Sequence, residues 1–245
     1  MKPPNPPSAA VDAPQRIAKF LARAGVASRR EIERWIAEGR VELNGQRLTT
    51  PATLVTAQDS IIVDGRPVQA AESTRLWRYH KPLGLLVTRF DPEGRPTIYD
   101  QLPSAMANLI TVGRLDLNSE GLLLLTNDGG LARHLEHPDS GYNRVYRVRA
   151  FGLLDPSALA ELERGAVVDG IAYAPAMVEV LRGAPGWQQG GIGNHWLQIT
   201  LTEGKNREVR RLLAACGLAV NRLIRTHYGS YSLDNLPIGA VEEIH

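Results

Sequence analysis

One aspartate stands in a loop whose composition suits a catalytic carboxylate. Residues 113–121 read Gly-Arg-Leu-Asp-Leu-Asn-Ser-Glu-Gly and lie between two strand-like segments, 109–112 and 122–126. A short irregular loop between strands can present a side chain into a cleft while the strands hold it rigidly. Asp116, in the middle of this loop, is therefore a candidate nucleophile or general base.

Clusters of basic residues indicate where a polyanion could bind. The net charge of the 245-residue chain is only +2. Residues 14–47, however, contain eight basic and four acidic side chains, and residues 205–225 contain six basic and one acidic. Local positive charge attracts phosphates whatever the total charge is. A charge run alone is more often a solvated helix face, so both readings stay open at this point.

The N-terminal region predicts a small module of two helices followed by strands. Apolar residues at helical spacing predict a helix over 15–24, and Ser28 with Glu31 three residues later forms a capping box that starts a second helix. Strands are predicted at 41–43 and 61–63. The apolar stripe of the second helix consists of Ile32, Trp35 and Ile36. Its outward face must then carry Arg29, Arg30 and Arg34.

The C-terminal region predicts an α+β domain with a mainly antiparallel sheet flanked by helices. Alternating residues at 142–149 and 195–202 are typical of half-buried strands. Helices are predicted at 131–137, 156–164 and 206–216. An α+β fold accommodates strands and helices in this order.

Arg210 is a candidate partner for the loop aspartate. Val209, Leu212, Leu213 and Cys216 form the apolar stripe of the last helix, and Arg210 lies at the edge of that stripe. A partly buried arginine needs a carboxylate partner because an unpaired buried charge is costly. Asp116 is the partner that we expect.

Other polar residues are weaker candidates for chemistry. Asp128 lies in an Asn-Asp-Gly turn, which has a conformational purpose of its own. His134 and His137 are three residues apart, but no second ligand pair accompanies them, so we expect no metal site. Lys81 and Pro82 are expected to shape a turn.

Composition limits the location and the domain organisation. The proline-rich segment 1–13 predicts a disordered tail, and it has no apolar stretch that could serve as a signal peptide. We find no apolar run long enough to cross a membrane, and a single cysteine suits a reducing compartment, so we expect a cytoplasmic protein. A break in periodicity predicts domains at 14–72 and 77–245, joined by a linker at 73–76.

The N-terminal domain resembles a known RNA-binding module. The stretch Arg-Ile-Ala-Lys-Phe-Leu-Ala-Arg-Ala-Gly-Val-Ala-Ser-Arg-Arg at 16–30, continued by Ile-Ala-Glu-Gly-Arg-Val-Glu-Leu-Asn-Gly at 36–45, closely resembles the S4 RNA-binding domain. The resemblance, which spans about residues 14–72, favours RNA binding over a merely solvated helix face. It implies that Arg29, Arg30 and Arg34 contact structured RNA by shape and phosphate.

The C-terminal domain resembles the RNA pseudouridine synthases of the RsuA/RluB/RluE/RluF family. The matching motifs are Lys-Pro-Leu-Gly at 81–84, the loop with its following strand at 113–129, Tyr146, and Glu-Gly-Lys-Asn-Arg-Glu-Val-Arg-Arg at 203–211. They occur in the family's order, after an S4 domain as in most members. The resemblance implies isomerisation of uridine to pseudouridine in RNA without a cofactor or a metal.

The resemblance also implies a role for each residue. Asp116 is the essential carboxylate, acting either on C1′ as a nucleophile or on the C2′ proton. Tyr146 stacks on the uracil, Arg210 pairs with the aspartate, and Arg114 aids base flipping or holds a phosphate, although a salt bridge within the loop is an alternative for Arg114. The floor of the uracil pocket is Leu223 or Ile224. Further RNA contacts are expected from Lys205, Arg207 and Arg211.

The predicted substrate is ribosomal RNA. Residues 91–97 and the S4 domain resemble the RluB branch, which acts on 23S rRNA; an RsuA-like enzyme of 16S rRNA and a non-catalytic ribosome-assembly factor remain alternatives. We expect ribosomal RNA or a pre-ribosomal particle as the partner of a monomer that needs no other protein. The exact nucleotide is not predicted.

Overall fold

The described residues form two compact units. The computed structural model describes residues 13–69, 72–182 and 191–245. One unit, the N-terminal unit, contains 13–75 together with 127–131, and the other, the C-terminal unit, contains 76–126 and 132–245. The predicted disordered tail, except for residue 13, lies outside the described residues.

The N-terminal unit packs two helices against short strands. Among its described residues a four-stranded sheet has the order β3-β2-β5-β6, and β1 pairs with β4. The elements are β1 (Gln15–Arg16), α1 (Ile17–Arg23), α2 (Arg29–Ala37), β2 (Val41–Leu43), β3 (Gln46–Arg47), β4 (Leu54–Val55), β5 (Ile61–Val63) and β6 (Arg66–Pro67).

Helix α2 begins as the sequence predicts. The Ser28 hydroxyl accepts the Glu31 amide at 3.3 Å, and the Glu31 carboxylate accepts the Ser28 amide at 3.2 Å, so the predicted capping box is formed. Ile32 and Ile36 are buried, whereas Trp35 is half-buried beneath the Arg40 guanidinium. The opposite face exposes the predicted arginines, Arg29, Arg30 and Arg34.

The C-terminal unit is built on one large sheet with helices beside it. Short 3₁₀ turns occur at Ile98–Asp100, Ser104–Met106, Pro138–Ser140 and Leu162–Arg164. The longer elements are β7 (Leu76–Lys81), β8 (Ile110–Val112), β9 (Glu120–Thr126), α3 (Gly129–Glu136), β10 (Arg144–Leu153), α4 (Pro156–Glu161), β11 (Ala166–Val168), β12 (Ile171–Tyr173), β13 (Met177–Val180), β14 (Ile192–Leu201), α5 (Glu208–Ala215), β15 (Ala219–Tyr228), β16 (Tyr231–Ser232) and β17 (Val241–Ile244). The first residues of α3 cluster with the N-terminal unit.

The large sheet confirms the predicted α+β class. Its main path runs β13-β14-β10-β15-β9-β7-β17, with β16 beside β15 and β8 beside β9. Among the described residues, only β15 and β9 pair in parallel, and every other pair is antiparallel. The buried face of β10 carries Arg144, Tyr146 and Val148, in the alternation that the sequence predicts.

The strand after the aspartate loop begins earlier than predicted. Glu120 and Gly121, which the sequence assigns to the loop, pair with Ile224 and Arg225 of β15 and therefore belong to β9. Gly121 has φ +107°, and a Cβ placed there would lie 2.3 Å from the Arg225 carbonyl oxygen. Glycine is thus required for the two strands to approach so closely.

We expect Gly121→Ala to destabilise the C-terminal unit by about 3 kcal/mol or more, because its methyl group would collide with the β15 backbone at a φ that alanine rarely adopts. Urea unfolding monitored by tryptophan fluorescence measures this. Gly170→Ala is the matched control: Gly170 has φ +75° and no atom within 4 Å of the added Cβ, so only about 1 kcal/mol should be lost. Equal losses in the two variants would contradict a steric role for Gly121.

Candidate active site

Asp116 lines a cleft of about 1120 Å³ in the C-terminal unit. The loop aspartate is half-buried, so its side chain is held by the fold and still open to the cleft. Of the residues predicted for the site, those that line the cleft with it are Arg114, Tyr146, Lys205, Arg207 and Leu223. The structure therefore brings six of the nine site residues predicted in the C-terminal unit to one cavity.

The backbone of the aspartate loop is fixed by three donors from distant parts of the chain. The Leu117 carbonyl accepts the Gly84 amide at 2.9 Å. The Asn118 carbonyl accepts Arg210 Nη2 at 2.7 Å, and the Ser119 carbonyl accepts Lys81 Nζ at 2.8 Å. Inside the loop, the Ser119 amide donates to the Asp116 carbonyl at 3.0 Å. The carboxylate is thus attached to a backbone that these hydrogen bonds hold in place.

Lys81 is a buried cation below this loop, a role that its predicted place in a turn did not reveal. Its side chain is fully buried, and its ammonium group donates to the carbonyls of Pro82 at 2.9 Å and Ser119 at 2.8 Å. Burial lowers the pKa of Lys81 to about 8, although the negative charges of Asp116 and Glu120 act in the opposite direction. Lys81 therefore places a cation beneath the loop that carries Asp116.

The predicted ion pair between Arg210 and Asp116 is replaced by a different contact. Arg210 donates to the carbonyls of Asn118 at 2.7 Å and Val220 at 2.9 Å, and no ion pair within 4.0 Å joins it to a carboxylate in the described parts of the chain. Burial lowers the pKa of Arg210, as does the charge of Arg207, while the charge of Asp116 raises it. The guanidinium thus holds the loop backbone behind the carboxylate and acts on Asp116 through its field.

One side of the cleft is apolar and aromatic. Tyr146 of β10 and Leu223 of β15 both line it, and both are buried. Ile224 is half-buried and is not among the lining residues, because successive side chains of a strand point to opposite faces. Of the two candidates for the floor of the uracil pocket, Leu223 therefore borders this cavity and Ile224 does not.

The predicted basic residues of the cleft differ in their contacts. Arg114 and Arg207 are exposed at the cleft, and Arg114 makes no salt bridge among the described residues, so the predicted alternative of an internal salt bridge is not formed. Lys205 is already engaged, since its ammonium group donates at 2.7 Å to Glu203 and at 2.7 Å to the Ala172 carbonyl. Arg211 is half-buried and does not line the cleft.

The segment that carries Lys205 is folded around a buried carboxyl group. Glu208 accepts the Lys205 amide at 2.7 Å, and burial raises the pKa of Glu208 to about 7. Arg207 adopts φ +52° just before α5, which explains why this helix begins at Glu208 and not at residue 206 as predicted. The turn presents Arg207 toward the cavity.

Arg144, Arg225 and Tyr228 also line the cleft, and the sequence did not single them out as site residues. The pattern did contain a signal, because Arg144 shares the buried face of its strand with Tyr146, and a charged residue on an apolar face calls for a reason. For Arg225, the pairing of β15 with β10 is needed to see that this residue lies on the same buried face as Tyr146.

Asp128, the weaker catalytic candidate, caps a helix. Its carboxylate accepts the Gly130 amide at 2.7 Å and the Thr74 hydroxyl at 2.8 Å, and it is buried. These contacts satisfy the orphan amides at the start of α3. Asp128 is not a lining residue of the cleft that contains Asp116.

In 13–69, 72–182 and 191–245, no three His, Cys, Asp or Glu side chains are arranged to hold a metal ion. Over the same ranges, none of the helices has both the length and the apolar character that a membrane crossing requires.

Comparison with known proteins identifies the family. Residues 75–215 match the family model described as RNA pseudouridylate synthase, and residues 15–61 match the S4 domain. An uncharacterized RNA pseudouridine synthase of Rickettsia bellii is 45% identical over 94% of this chain and 96% of its own length. The ribosomal large subunit pseudouridine synthase B of Salmonella typhimurium is 45% identical over 94% of this chain and 79% of its own.

The same family is found among solved structures. A structure described as that of a pseudouridylate synthase has a TM-score of 0.65 and 25% identity, and the match covers 94% of this chain and 96% of that one. This chain belongs to the RNA pseudouridylate synthase family and carries an S4 domain in its N-terminal unit. The family and the enzyme class that the sequence motifs predicted are thereby confirmed.

The burial of Lys81 gives a test by pH. Its pKa of about 8 in the folded protein lies below its ordinary value of 10.5, so the unfolded chain binds more protons between these values and stability must rise with pH. From pH 7.5 to 9.5 we expect a gain of about 2 kcal/mol in the free energy of unfolding. Urea titrations across this range measure it, and Lys81→Met should lack this component. Identical pH slopes would contradict the buried ammonium.

Proposed function

We propose that this enzyme converts one uridine of 23S ribosomal RNA to pseudouridine, with Asp116 as the essential carboxylate. Support for the large-subunit substrate comes from relatives named ribosomal large subunit pseudouridine synthase B, which are 45% identical over 94% of the chain. Pseudouridine synthesis on RNA follows from the family itself. The substrate and the residue roles are the proposal.

A single observation carries the residue roles. Asp116 stands on a loop whose carbonyls at 117–119 are each held by a separate donor, and its cleft is also lined by Tyr146 and Leu223. This arrangement fits a nucleotide whose base lies between the aromatic ring and the apolar side chain. The carboxylate would then lie beside the sugar, where the reaction takes place. Tyr146 would stack on the uracil, and Leu223 would form the floor beneath it.

The chemistry conserves atoms and electrons, so this proposal needs neither an oxidant nor a reductant. The N1–C1′ bond breaks, the uracil turns, C5 bonds to C1′, and the C5 proton is finally transferred to N1 through the site and solvent. Asp116 can start this sequence in two ways. It can attack C1′ as a nucleophile, or it can remove the C2′ proton to give a glycal, and both routes require an ionised carboxylate.

Arg210 and Lys81 act on this reaction through the loop. Their donors reach the carbonyls of Asn118 and Ser119, next to the carboxylate in the chain. They would hold the carboxylate in its productive position. Arg210 is thus a positioning residue in this proposal, in place of the direct partner that the sequence suggested.

The target base must leave its stack to enter the cleft. Arg114 is exposed at the cleft, two residues before Asp116, with a guanidinium that is free of salt bridges among the described residues. It is the side chain we propose to fill the vacated place in the RNA or to hold a phosphate. Arg207 is available for a phosphate contact, and Lys205 and Arg211 would extend the basic surface.

The S4 domain would deliver the RNA. Arg29 and Arg30 are exposed at the start of α2, whereas Arg34 forms an ion pair with Glu38, with 3.6 Å between Nε and Oε1. A rigid helical face of this kind suits phosphate contacts on structured RNA. Ribosomal RNA or a pre-ribosomal particle would be the partner, in the cytoplasm, and the enzyme would act as a monomer without an obligatory protein partner.

The proposal predicts that Asp116→Asn abolishes isomerisation while RNA affinity stays within about threefold, because the amide keeps the shape but removes the charge. Pseudouridine is mapped by chemical labelling in rRNA from cells lacking the gene and from cells complemented with wild-type or variant genes. One mark in 23S rRNA should vanish and return only with the wild type. Asp169→Asn, at an exposed turn, is the control and should restore it.

Other outcomes have defined meanings. A missing mark in 16S rRNA would assign the small-subunit alternative, and restoration of the mark by Asp116→Asn would refute the catalytic role. No missing mark, together with retained RNA binding, would favour the ribosome-assembly alternative.

For the S4 domain, we predict that Arg29→Ala combined with Arg30→Ala weakens binding of the rRNA fragment and lowers the slope of log Kd against log salt by roughly one per arginine, as for lost phosphate contacts. Filter binding across a salt series measures both. Arg164→Ala removes one exposed cation from the C-terminal unit and should leave the slope unchanged. An unaltered slope in the double variant would exclude these contacts.

A further inference from the structure

Two buried arginines flank one tyrosine at the cationic side of the cleft. The Tyr228 ring centroid lies 4.9 Å from Arg144 Cζ and 5.1 Å from Arg225 Cζ. Arg144 is 9% exposed, Arg225 is 3% exposed, and all three residues line the cleft. Placing two guanidinium groups at low exposure is costly unless their charge and their donors are satisfied.

The donors of these arginines are only partly used. Arg144 donates to the carbonyls of Tyr142 and Thr202 and to the Tyr228 hydroxyl, which in turn donates to the Leu135 carbonyl at 2.9 Å. Arg225 Nε donates to the Leu122 carbonyl at 2.8 Å. Its Nη2 is buried and has no hydrogen-bond partner in the described chain. Arg225 thus retains an unused donor in the wall of the cavity.

Their positive charge is also uncompensated by direct contact. Within the described residues no carboxylate lies within 4.0 Å of the guanidinium nitrogens of either arginine. Glu136, one of the acidic residues that line the cleft, accepts the Gly113 amide at 2.6 Å, and Glu120 is paired with Arg222 at 2.5 Å. Both carboxylates therefore have other partners. The two cations together form a recess suited to an anion.

Strand register puts this recess beside the proposed base pocket. Arg225 is the cross-strand partner of Tyr146, and Arg144 is the cross-strand partner of Tyr228. Directly paired residues lie on the same face of a sheet. An anion in the recess would therefore lie beside Tyr146, the residue proposed to stack on the uracil.

We propose that Arg144, Arg225 and Tyr228 form the binding site for a backbone phosphate directly adjacent to the target uridine. This inference rests on the proposed function of the cleft and adds the substrate group that its cationic wall recognises. RNA carries a phosphate on each side of every nucleotide, and guanidinium groups bind phosphates through charge-assisted hydrogen bonds. Such a contact fixes the sugar against Asp116 independently of the base.

The first experiment measures phosphate recognition without catalysis. Uridine and uridine 5′-monophosphate are titrated into the full chain, and their affinities are compared by NMR on ¹⁵N-labelled protein. We expect the monophosphate to bind the wild type about tenfold more tightly, as for one charge-assisted contact. Arg225→Gln and Arg144→Gln should each lose most of that difference. Arg147→Gln, on the same strand with its guanidinium over Trp196, should keep it.

The second experiment uses an RNA fragment that contains the mapped uridine. A single methylphosphonate replaces either the 5′ or the 3′ phosphate of that uridine and removes its charge. We expect one of the two replacements to weaken binding to the wild type about tenfold and to have little further effect on Arg225→Gln. If Arg225 served only internal packing, the loss of affinity from the methylphosphonate and the loss from Arg225→Gln would be independent, and their fold-changes would multiply.

The results separate the possible explanations. The proposal would be overturned if the wild type bound uridine and its 5′-monophosphate equally and was also indifferent to both methylphosphonates. An unchanged difference in a folded Arg225→Gln would overturn it as well. If Arg225→Gln does not fold, Arg225→Lys replaces it and should keep part of the difference in affinity between uridine and its monophosphate. In that case the site would be refuted if neither methylphosphonate weakened binding of the RNA fragment to the wild type. Asp116→Asn should retain the monophosphate preference, so a failure of the proposed catalytic role is recognised separately.

Discussion

The parallel pairing of β9 with β15 is the constraint on which the site depends. The two strands share only the pairs of Glu120 with Ile224 and Gly121 with Arg225, and the missing side chain of Gly121 makes this approach possible. The pairing joins the half of the sheet that ends in the Asp116 loop to the half that carries Leu223 and Arg225. Without it, the carboxylate and the pocket that it serves would lie on separate hairpins.

The aspartate loop is held in place by hydrogen bonds to its backbone carbonyls. Its backbone carbonyls accept donors from the turn at Gly84, from Lys81 and from Arg210. Two of these donors are cations, which would be expensive to bury with nothing to bond, and the loop carbonyls supply that bonding. One set of contacts therefore fixes the loop and satisfies the donors of both cations.

The cleft has an apolar side and a cationic side. Tyr146 and Leu223 provide an aromatic and apolar side, while Arg144 and Arg225 provide a cationic side around Tyr228. A nucleotide has the same division between its base and its phosphate. Because β10 and β15 contribute to both sides, the register of that single strand pair sets the distance between the apolar and the cationic side of the cleft.

The sequence by itself determined the local structure: the Ser28 capping box, the alternation of β10, and a short loop around Asp116. These features depend on neighbours a few residues apart, and the motifs of the family follow the same order along the chain. The tertiary structure decided which groups meet. It gave Arg210 the carbonyl of Asn118 as its partner, chose Leu223 over Ile224, and showed Lys81 beneath the loop. Such contacts join residues up to about a hundred positions apart, and only the strand pairing brings them together.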